Sequence, residues 1–224
     1  MRRAAIPLLV AAVISALPAA PAAAGVRPGT VHRGDATYYP ANEALGNCSY
    51  GRVPYTRIAA LNSADYDNAR MCGAYIQVTG PRGTETVKIV DRCPECRPGD
   101  IDLNGAVFGR IGNPQAGRVR VSWKLVSPAT TSTLSFRYKE GSSAHWCAIQ
   151  VRNHRNPVTQ LEVQVHSRWR ALPRTGYNYF VANDGQGCGR KIRVADIYGQ
   201  QLTVPLIALR PGILQTTRAQ FRRH

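Results

Sequence analysis

Most of the chain alternates apolar and polar residues with a period of two, which predicts β-strands. In the first half the runs "AYIQVTG", "ETVKIVD" and "RVRVSWKLV" follow this pattern, and in the second half "TLSFRYK" and "LEVQVHS" do so. Glycine and proline separate the runs, and long amphipathic helical patterns are lacking. One short helix is predicted in "LNGAVFGRIG", with Asn104 as its N-cap. The chain is therefore predicted to be mainly β.

A change of pattern near Ser127 divides the chain into two halves. We predict a first domain at residues 25–127 and a second at residues 128–224, joined by a short linker that keeps them packed together. The second half contains about eight short strands, two of which form a hairpin that turns at Tyr198-Gly199. Such a run of strands is typical of a β-sandwich.

The segment "SSAHWCAIQVRN" carries a tryptophan on the side of a strand that should face water. Counting by twos, Cys147, Ile149 and Val151 share the apolar side, which should face the core. Trp146 falls on the other side, together with polar residues. Scattered surface apolar residues are common, so an exposed indole alone is weak evidence of a binding site.

The first 24 residues have the features of a secretory signal peptide. Arg2 and Arg3 precede an apolar run over residues 4–17, and three alanines at positions 22–24 form a small-residue cleavage site. The run is too short to span a bilayer comfortably, and prolines interrupt it. We therefore expect an exported, extracellular protein that has no membrane anchor.

Six cysteines in an exported chain are expected to be paired. Cys147 lies on the core side of its strand and Cys188 opens a strand whose apolar residues point inward, so we predict a disulfide between them. The other four cysteines allow three pairings, and we expect Cys72 to bond to Cys93 or Cys96 of the Cys-x-x-Cys unit. These four are Cys48, Cys72, Cys93 and Cys96.

A zinc or redox site is the alternative use of the Cys-x-x-Cys unit. The exported context and the absence of a thioredoxin-like pattern favour structural disulfides. The five histidines show no metal-ligand spacing. We predict neither a metal nor a cofactor.

The formal net charge is +16, and most of the excess lies in residues 127–224, which hold 14 Lys/Arg against 4 Asp/Glu. Such a field favours acidic polymers such as pectin or peptidoglycan with teichoic acid, and this attraction should weaken with salt. Nucleic acid is not expected as a partner, because the chain is exported and lacks a recognisable binding motif. Solubility alone is an equally good explanation of the charge.

Two carboxylates in "VKIVDRCPECRPGDIDLN" are candidates for chemistry. Val87, Ile89 and Asp91 lie on the same side of a predicted strand. Asp91 should therefore be partly desolvated at the end of an apolar strand, which makes it a plausible proton donor. Asp102 follows after a loop that can fold back. The alternative is that Asp91 caps the cysteine-rich loop and Asp102 caps the short helix, and the residues alone favour that alternative.

The order of several strings resembles bacterial expansins. They are "GDATYYPA", "LNSADYDN", "MCGAYIQVTGPRG", "VDRCPECRPGDIDLN", "FGRIGNP", "RYKEGSSAHWCAIQVRNHRNPV" and "GYNYFV", and the resemblance runs from about Gly34 to Phe221. It implies a six-stranded double-psi β-barrel followed by an immunoglobulin-like β-sandwich that binds carbohydrate. It also implies a monomer that loosens walls by disturbing contacts of cellulose, xyloglucan and related glucans, without hydrolysis.

The resemblance assigns roles to particular side chains. In the barrel it implies a polar groove at Thr37, Asp91 and Asp102, with wall loosening dependent on Asp91, and it puts Cys93 where many relatives carry a groove tyrosine. In the sandwich it implies a flat cellulose-binding surface of aromatic rings that stack on glucan rings. Its positions are Trp146, Tyr177, His145 in place of a third aromatic residue, and the nearby Lys139. Because His145 has a smaller and more polar ring, we expect weaker binding to crystalline cellulose than is usual in the family.

Three alternatives to wall loosening remain. A family 45 type glycoside hydrolase has a similar barrel but needs a second carboxylate about 6.5–9.5 Å from the acid. Ala41 stands at the matching position, although Asp35, Glu43 or Asp102 could substitute. A lytic transglycosylase acting on peptidoglycan can work with a single acid. A wall-binding adhesin would need only the sandwich and its charge.

Overall fold

The computed structural model describes residues 25–39 and 46–224. The predicted signal peptide at residues 1–24 lies outside the described residues. Ala41 and Glu43, which bear on the hydrolase alternative, also lie outside them.

The first half forms a closed barrel of six strands in the order β1-β5-β2-β4-β3-β6. Two pairs, β1 with β5 and β2 with β4, are parallel, and the others are antiparallel. The strands are β1 (Val31–Tyr39), β2 (Ile58–Asn62), β3 (Tyr75–Gly80), β4 (Gly83–Cys93), β5 (Ile101–Asn104) and β6 (Val119–Val126). The helices are α1 (Ser63–Tyr66), α2 (Gly105–Ile111) and a 3₁₀ turn at Pro114–Ala116.

The period of two in the barrel strands places their apolar side chains inside. Ile76 and Val78 of β3 and Val87 and Ile89 of β4 are fully buried. Each such side chain contributes about 1.5–3 kcal/mol by leaving water. The helix α2 closes one end of this core with Phe108 and Ile111, and the Asn104 side chain accepts a hydrogen bond from the Ala106 amide at 2.9 Å. The predicted helix and its cap are therefore confirmed.

The second half forms two antiparallel sheets that share one apolar core. Their orders are β10-β9-β12-β13 and β11-β8-β7-β14. The hairpin between β12 and β13 turns at Tyr198-Gly199, as the sequence predicts. The strands are β7 (Ser135–Tyr138), β8 (Cys147–Arg152), β9 (Val158–Val165), β10 (Arg168–Ala171), β11 (Phe180–Ala182), β12 (Ile192–Asp196), β13 (Gln201–Val204) and β14 (Leu214–Thr216). The mainly β fold class, a six-stranded barrel followed by a sandwich, is confirmed.

The boundary at residues 127 and 128 stays a prediction. It falls in the connection between β6, which ends at Val126, and β7, which begins at Ser135. No helix in the described part of the chain is long and apolar enough to cross a membrane.

Three disulfides join the six cysteines. The predicted Cys147–Cys188 bond is confirmed, but the expected bond from Cys72 to the Cys-x-x-Cys unit is wrong. Cys72 pairs with Cys48, and Cys93 pairs with Cys96. The reason is that two loops converge on the same part of β4. The Cys48 amide donates to the carbonyl oxygen of Val90 at 3.1 Å. The amide of Gly73, which follows Cys72, donates to the carbonyl oxygen of Ile89 at 2.8 Å.

The outer face of the sheet β11-β8-β7-β14 packs partly against the barrel. Gln150 is fully buried there, and its side-chain amide donates to the Cys48 carbonyl oxygen at 3.0 Å. Arg152 donates to the Tyr50 carbonyl oxygen at 2.6 Å, and Arg174 donates to that of Ala69 at 2.6 Å. Side chains of one domain thus satisfy the backbone of the other, which fixes their relative orientation. We call this contact the seam.

Gly73 shows how closely the two domains approach. It has φ +78°, and a Cβ at this position would collide with the Tyr50 hydroxyl and the His154 ring. His154 comes from the sandwich and is buried at the seam, where its Nδ1–H donates to the Asn156 carbonyl oxygen at 2.8 Å. Burial, helped by the charge of Lys88, lowers the pKa of His154 to about 3. This imidazole is therefore neutral at physiological pH.

Candidate functional site

The barrel carries two of the three predicted groove residues on neighbouring strands. Thr37 of β1 and Asp102 of β5 are paired across a parallel ladder, and the Thr37 hydroxyl donates to Asp102 Oδ1 at 2.7 Å. Asp102 is half-buried, and burial raises its pKa above the ordinary aspartate value. The Thr37 hydrogen bond opposes this shift, and the negative charges of Glu95 and Asp91 add to it. A carboxyl group of this kind takes up a proton more readily than one in water.

Asp91 lies near the end of β4, next to a register shift. Ile89 pairs with Ala59 and Asp91 pairs with Ala60, so one extra residue interrupts the alternation on which the prediction for Asp91 rested. Asp91 is half-buried, and its Oδ1 accepts hydrogen bonds from the amides of Asn47 at 2.5 Å and Arg92 at 2.7 Å. These bonds hold the carboxylate in one orientation.

Neither capping alternative describes the contacts that these two carboxylates make. Asp91 accepts the amides of Asn47, in a different loop, and of Arg92, which belongs to β4, and not an amide of the cysteine-rich loop that the capping interpretation names. Asp102 does not cap α2, since Asn104 occupies that position.

An open cleft of about 570 Å³ is lined in part by Thr37, the hydrogen-bond partner of Asp102, whereas Asp91 and Asp102 themselves are not among its lining residues. The Cys93–Cys96 disulfide forms part of its wall, so a disulfide stands where the resemblance implies that many relatives carry an aromatic residue. The cleft is lined by Asp35, Thr37, Cys93, Glu95, Cys96, Arg97, Asp100 and Arg118. We call this cleft, together with Asp91 and Asp102, the groove.

Asp35, one of the carboxylates considered as a second acid, is held by ion pairs. It lies 3.4 Å from Arg118 and 3.2 Å from Arg120, and its backbone amide donates to Asp100 Oδ1 at 2.7 Å. Asp102 is engaged by Thr37. Either carboxylate would therefore have to give up contacts with these protein groups before it could activate a water molecule.

Tyr39 is a groove residue that the sequence reasoning did not single out. It follows Thr37 by two positions on β1, and the charges of Asp91 and Asp102 add to burial in raising its pKa. Its hydroxyl is buried and has no hydrogen-bond partner among residues 25–39 and 46–224. The period of two from Thr37 along the strand was the signal that could have identified it.

The sandwich carries an aromatic surface on the outer face of the sheet β11-β8-β7-β14. Trp146 is half-buried and packs against Ala148, Tyr179 and Val181. Tyr177 is 41% exposed, and its ring centroid lies 5.9 Å from that of Tyr179. Tyr179 itself is buried, so it supports the two outer rings from behind. We call Trp146 and Tyr177 with this support the platform.

The other two predicted binding residues lie beside the platform. His145 is exposed, and the Lys139 backbone amide donates to the Ala148 carbonyl oxygen at 2.9 Å. His145 and Trp146 both precede β8, which begins at Cys147. Strict alternation therefore does not apply to them, and both can reach solvent.

One asparagine connects the platform to the groove. The Asn47 side-chain amide donates to the Gly176 carbonyl oxygen at 2.8 Å, while its backbone amide holds Asp91. The Tyr66 hydroxyl donates to the same carbonyl oxygen at 2.9 Å. Tyr177 follows Gly176 directly. One hydrogen-bond network therefore reaches both Tyr177 of the platform and Asp91 of the groove.

The site offers hydrogen-bonding and acid–base groups and flat rings. In the described ranges there is no group of three or more His, Cys, Asp or Glu side chains that could hold a metal ion. The arrangement can bind hydroxyl groups in the groove, exchange a proton at a carboxyl group, and stack flat rings on the platform.

Comparisons with known proteins find relatives that cover most of the chain. A family model described as "Lytic transglycolase" matches residues 31–123, which form most of the barrel. "Expansin-YoaJ" of Bacillus subtilis (strain 168) is 35% identical over 182 residues, which are 78% of this chain and 78% of that protein. The crystal structure of apo Clavibacter michiganensis expansin has a TM-score of 0.81 and 34% sequence identity, covering 87% of this chain and 100% of that one. A mutant of the Clavibacter protein in complex with cellohexaose has a TM-score of 0.80 and 33% identity, with the same coverage.

Proposed function

The chain belongs to the expansin family, and we propose that it is an exported protein that binds cellulose and related glucans and loosens their contacts without cutting them. The observation that carries this proposal is the hydrogen-bonded connection between platform and groove through Asn47 and Gly176. The complex of the Clavibacter expansin mutant with cellohexaose supports the choice of a β-glucan as ligand. The disulfides support an extracellular location.

In this proposal the platform supplies the affinity. The apolar face of a glucose ring stacks on the Trp146 indole, and a neighbouring ring of the same chain stacks on Tyr177. Aromatic side chains provide large contact areas at low cost in conformational entropy, and each stacked ring contributes on the order of 1 kcal/mol beyond its buried area. Lys139 and His145 lie beside these rings and can hydrogen-bond to sugar hydroxyls.

The groove weakens the contacts between glucan chains of the wall. Glucan chains in a wall are held to one another by hydrogen bonds between hydroxyl groups. Thr37, Asp91 and Asp102 offer hydroxyl and carboxylate groups that compete for those hydroxyls, and charge-assisted hydrogen bonds to carboxylates are about twice as strong as neutral ones. Because the seam fixes the groove relative to the platform, a chain that occupies both is separated from its neighbour over several residues.

The test compares Asp91→Asn with the wild type in two assays. We expect the variant to be retained on cellulose as well as the wild type and to lose most of its ability to weaken cellulose sheets or heat-inactivated plant walls. The amide keeps the size of the carboxylate and removes its charge. Full weakening by the variant would contradict the groove role, and loss of retention would contradict the division of labour between the two surfaces.

A second candidate function is lytic cleavage of peptidoglycan. The family model that matches residues 31–123 is described as a lytic transglycolase, and the raised pKa of Asp102 suits a single catalytic acid. Incubation with purified peptidoglycan and with soluble glucan separates the two functions. Muropeptide release that Asp102→Asn or Asp91→Asn abolishes would establish the lytic function, and absence of released products would support loosening without cleavage.

A further inference from the structure

A lysine on the outside of the barrel is buried with no partner for its charge. Val87 and Ile89 of β4 point into the barrel, so Lys88 points outward, opposite Tyr75 of β3. Lys88 is nevertheless only 8% exposed, because the segment that contains Tyr50 and Tyr55 covers it. A lysine on the outer wall of a barrel would ordinarily extend into water.

Aromatic rings surround the Lys88 ammonium. The ring centroids of Tyr50, Tyr55 and Tyr75 lie 5.1, 5.8 and 5.8 Å from Nζ. No described residue accepts a hydrogen bond from this ammonium or forms an ion pair with it. Burial, together with the nearby Arg152 charge, lowers its pKa to about 8. Cation–π contacts offset part of the lost hydration, and the three N–H donors of the ammonium are left to solvent or to a ligand in the adjoining cleft. A carboxylate in reach of this ammonium would supply both hydrogen-bond acceptors and the missing counter-charge.

The ammonium lies in a cleft that opens to solvent on the barrel wall. The cleft has a volume of about 620 Å³ and reaches to Pro128 at the start of the sandwich. One of its walls is the Tyr55 ring, which is 40% exposed. Its rim carries Arg57 and Arg110, which share the single carboxylate of Glu85 at 3.3 and 3.4 Å. The cleft is therefore positively charged and has exposed ring faces.

We propose that this cleft, named here the Lys88 cleft, binds a uronic acid residue of an acidic polysaccharide. The sugar carboxylate accepts hydrogen bonds from the Lys88 ammonium, and the pyranose ring lies against Tyr55 and Tyr75. A neutral glucose residue would leave the charge of the ammonium without a counter-charge. A phosphate on a flexible polyol would satisfy the ammonium but would leave the ring faces unused. The site is separate from the platform and the groove, so it does not depend on the function proposed above.

The test measures binding of trigalacturonate by calorimetry in buffer with physiological salt. Lys88→Met keeps the length of the side chain and removes its charge, and we expect it to weaken binding about tenfold or more, as loss of a hydrogen bond to a charged group does. Lys124→Met is the matched control, because Lys124 is an exposed lysine on the outside of β6. We expect the control to bind within about twofold of the wild type, since a single exposed charge contributes little.

Two further measurements complete the test. Tyr55→Ala removes an exposed ring without disturbing the barrel core, so it should weaken binding even if Lys88→Met does not fold. Trp146→Ala should bind trigalacturonate as the wild type does, which separates this site from the platform. Equal losses in Lys88→Met and Lys124→Met would overturn the proposal in favour of diffuse charge attraction. It would also be overturned if cellotriose bound equally well, or if glycerol phosphate bound more tightly than trigalacturonate.

Discussion

The groove and the platform belong to different domains and hold their side chains in different ways. In the groove, carboxylates are oriented by short hydrogen bonds, such as those from Asn47 to Asp91 and from Thr37 to Asp102. In the platform, Trp146 and Tyr177 are positioned by packing against the buried Tyr179. Polar groups that must compete for hydroxyls need directional support, whereas rings that stack need only a flat and rigid base. In the proposed function, the seam is what lets two such different surfaces act on one ligand.

The largest expected effect concerns the seam itself. His154 is neutral in the folded protein with a pKa of about 3, whereas the unfolded chain takes up a proton near pH 6.5. The free energy of unfolding should therefore be highest above pH 6.5 and should fall by roughly 3–5 kcal/mol as the pH drops towards 3. Urea unfolding of His154→Gln across this range should show a flatter pH dependence than the wild type. The exposed His166, changed to Gln, is the matched control and should leave the wild-type slope unchanged.

The next effect separates the platform from the net charge. Trp146→Ala should reduce retention on cellulose by about 1–2 kcal/mol, or about tenfold, because it removes one stacking surface. The wild type should remain bound in high salt, since stacking is not screened. Trp169→Ala is the control, because that indole packs on Arg193 in the other sheet, with 4.7 Å between the guanidinium carbon and the ring centroid. Equal retention of the two variants, or release of the wild type by salt alone, would assign binding to charge.

A smaller effect is expected where groove and platform meet. Asn47→Ala removes the amide that donates to Gly176 and keeps the backbone amide that holds Asp91. It should cost about 1 kcal/mol of stability and reduce wall weakening while retention on cellulose changes by less than about twofold. Asn68→Gly is the control, because Asn68 also donates across the seam, to Arg174 at 3.3 Å, and has φ +47°. Undiminished weakening by the Asn47 variant would show that the two surfaces work independently.

The smallest effect is a gain. His145→Tyr places a larger apolar ring beside Trp146, at the position where the resemblance implies a third aromatic residue. Retention on cellulose should increase by roughly 0.5–1 kcal/mol, a few-fold in affinity. His166→Tyr adds the same ring to the sandwich away from the platform and should have no effect. A gain of equal size in both variants would indicate nonspecific adhesion.

Periodicity alone was enough to locate the strands and the core-facing side of each, because that side packs against one apolar core. The inward side of β8 was read correctly, and with it the Cys147–Cys188 bond. Pattern reading failed where the chain leaves the regular strand. The register shift between β2 and β4 interrupts the alternation of inward and outward side chains before Asp91. His145 lies before the first residue of β8, where alternation does not apply.

Contacts between distant segments could not be read from local pattern either. The bond from Cys72 to Cys48 arises because two loops meet on β4, and nothing near either cysteine indicates this. The burial of Gln150 and Lys88 has a similar origin, since segments outside their own strands cover these polar residues. Residues with polar side chains on the outer side of a strand are normally expected in water. Only the packed domains reveal that these two are enclosed.

The glycine at position 73 has a mechanical consequence. Since a methyl group there would strike both Tyr50 and His154, the two halves of the molecule already touch and cannot be pressed closer together. In the proposed function, a polysaccharide lying over both halves would meet two surfaces whose mutual angle this contact keeps from closing. Thermal motion of the surrounding wall would then act on the contacts between neighbouring glucan chains.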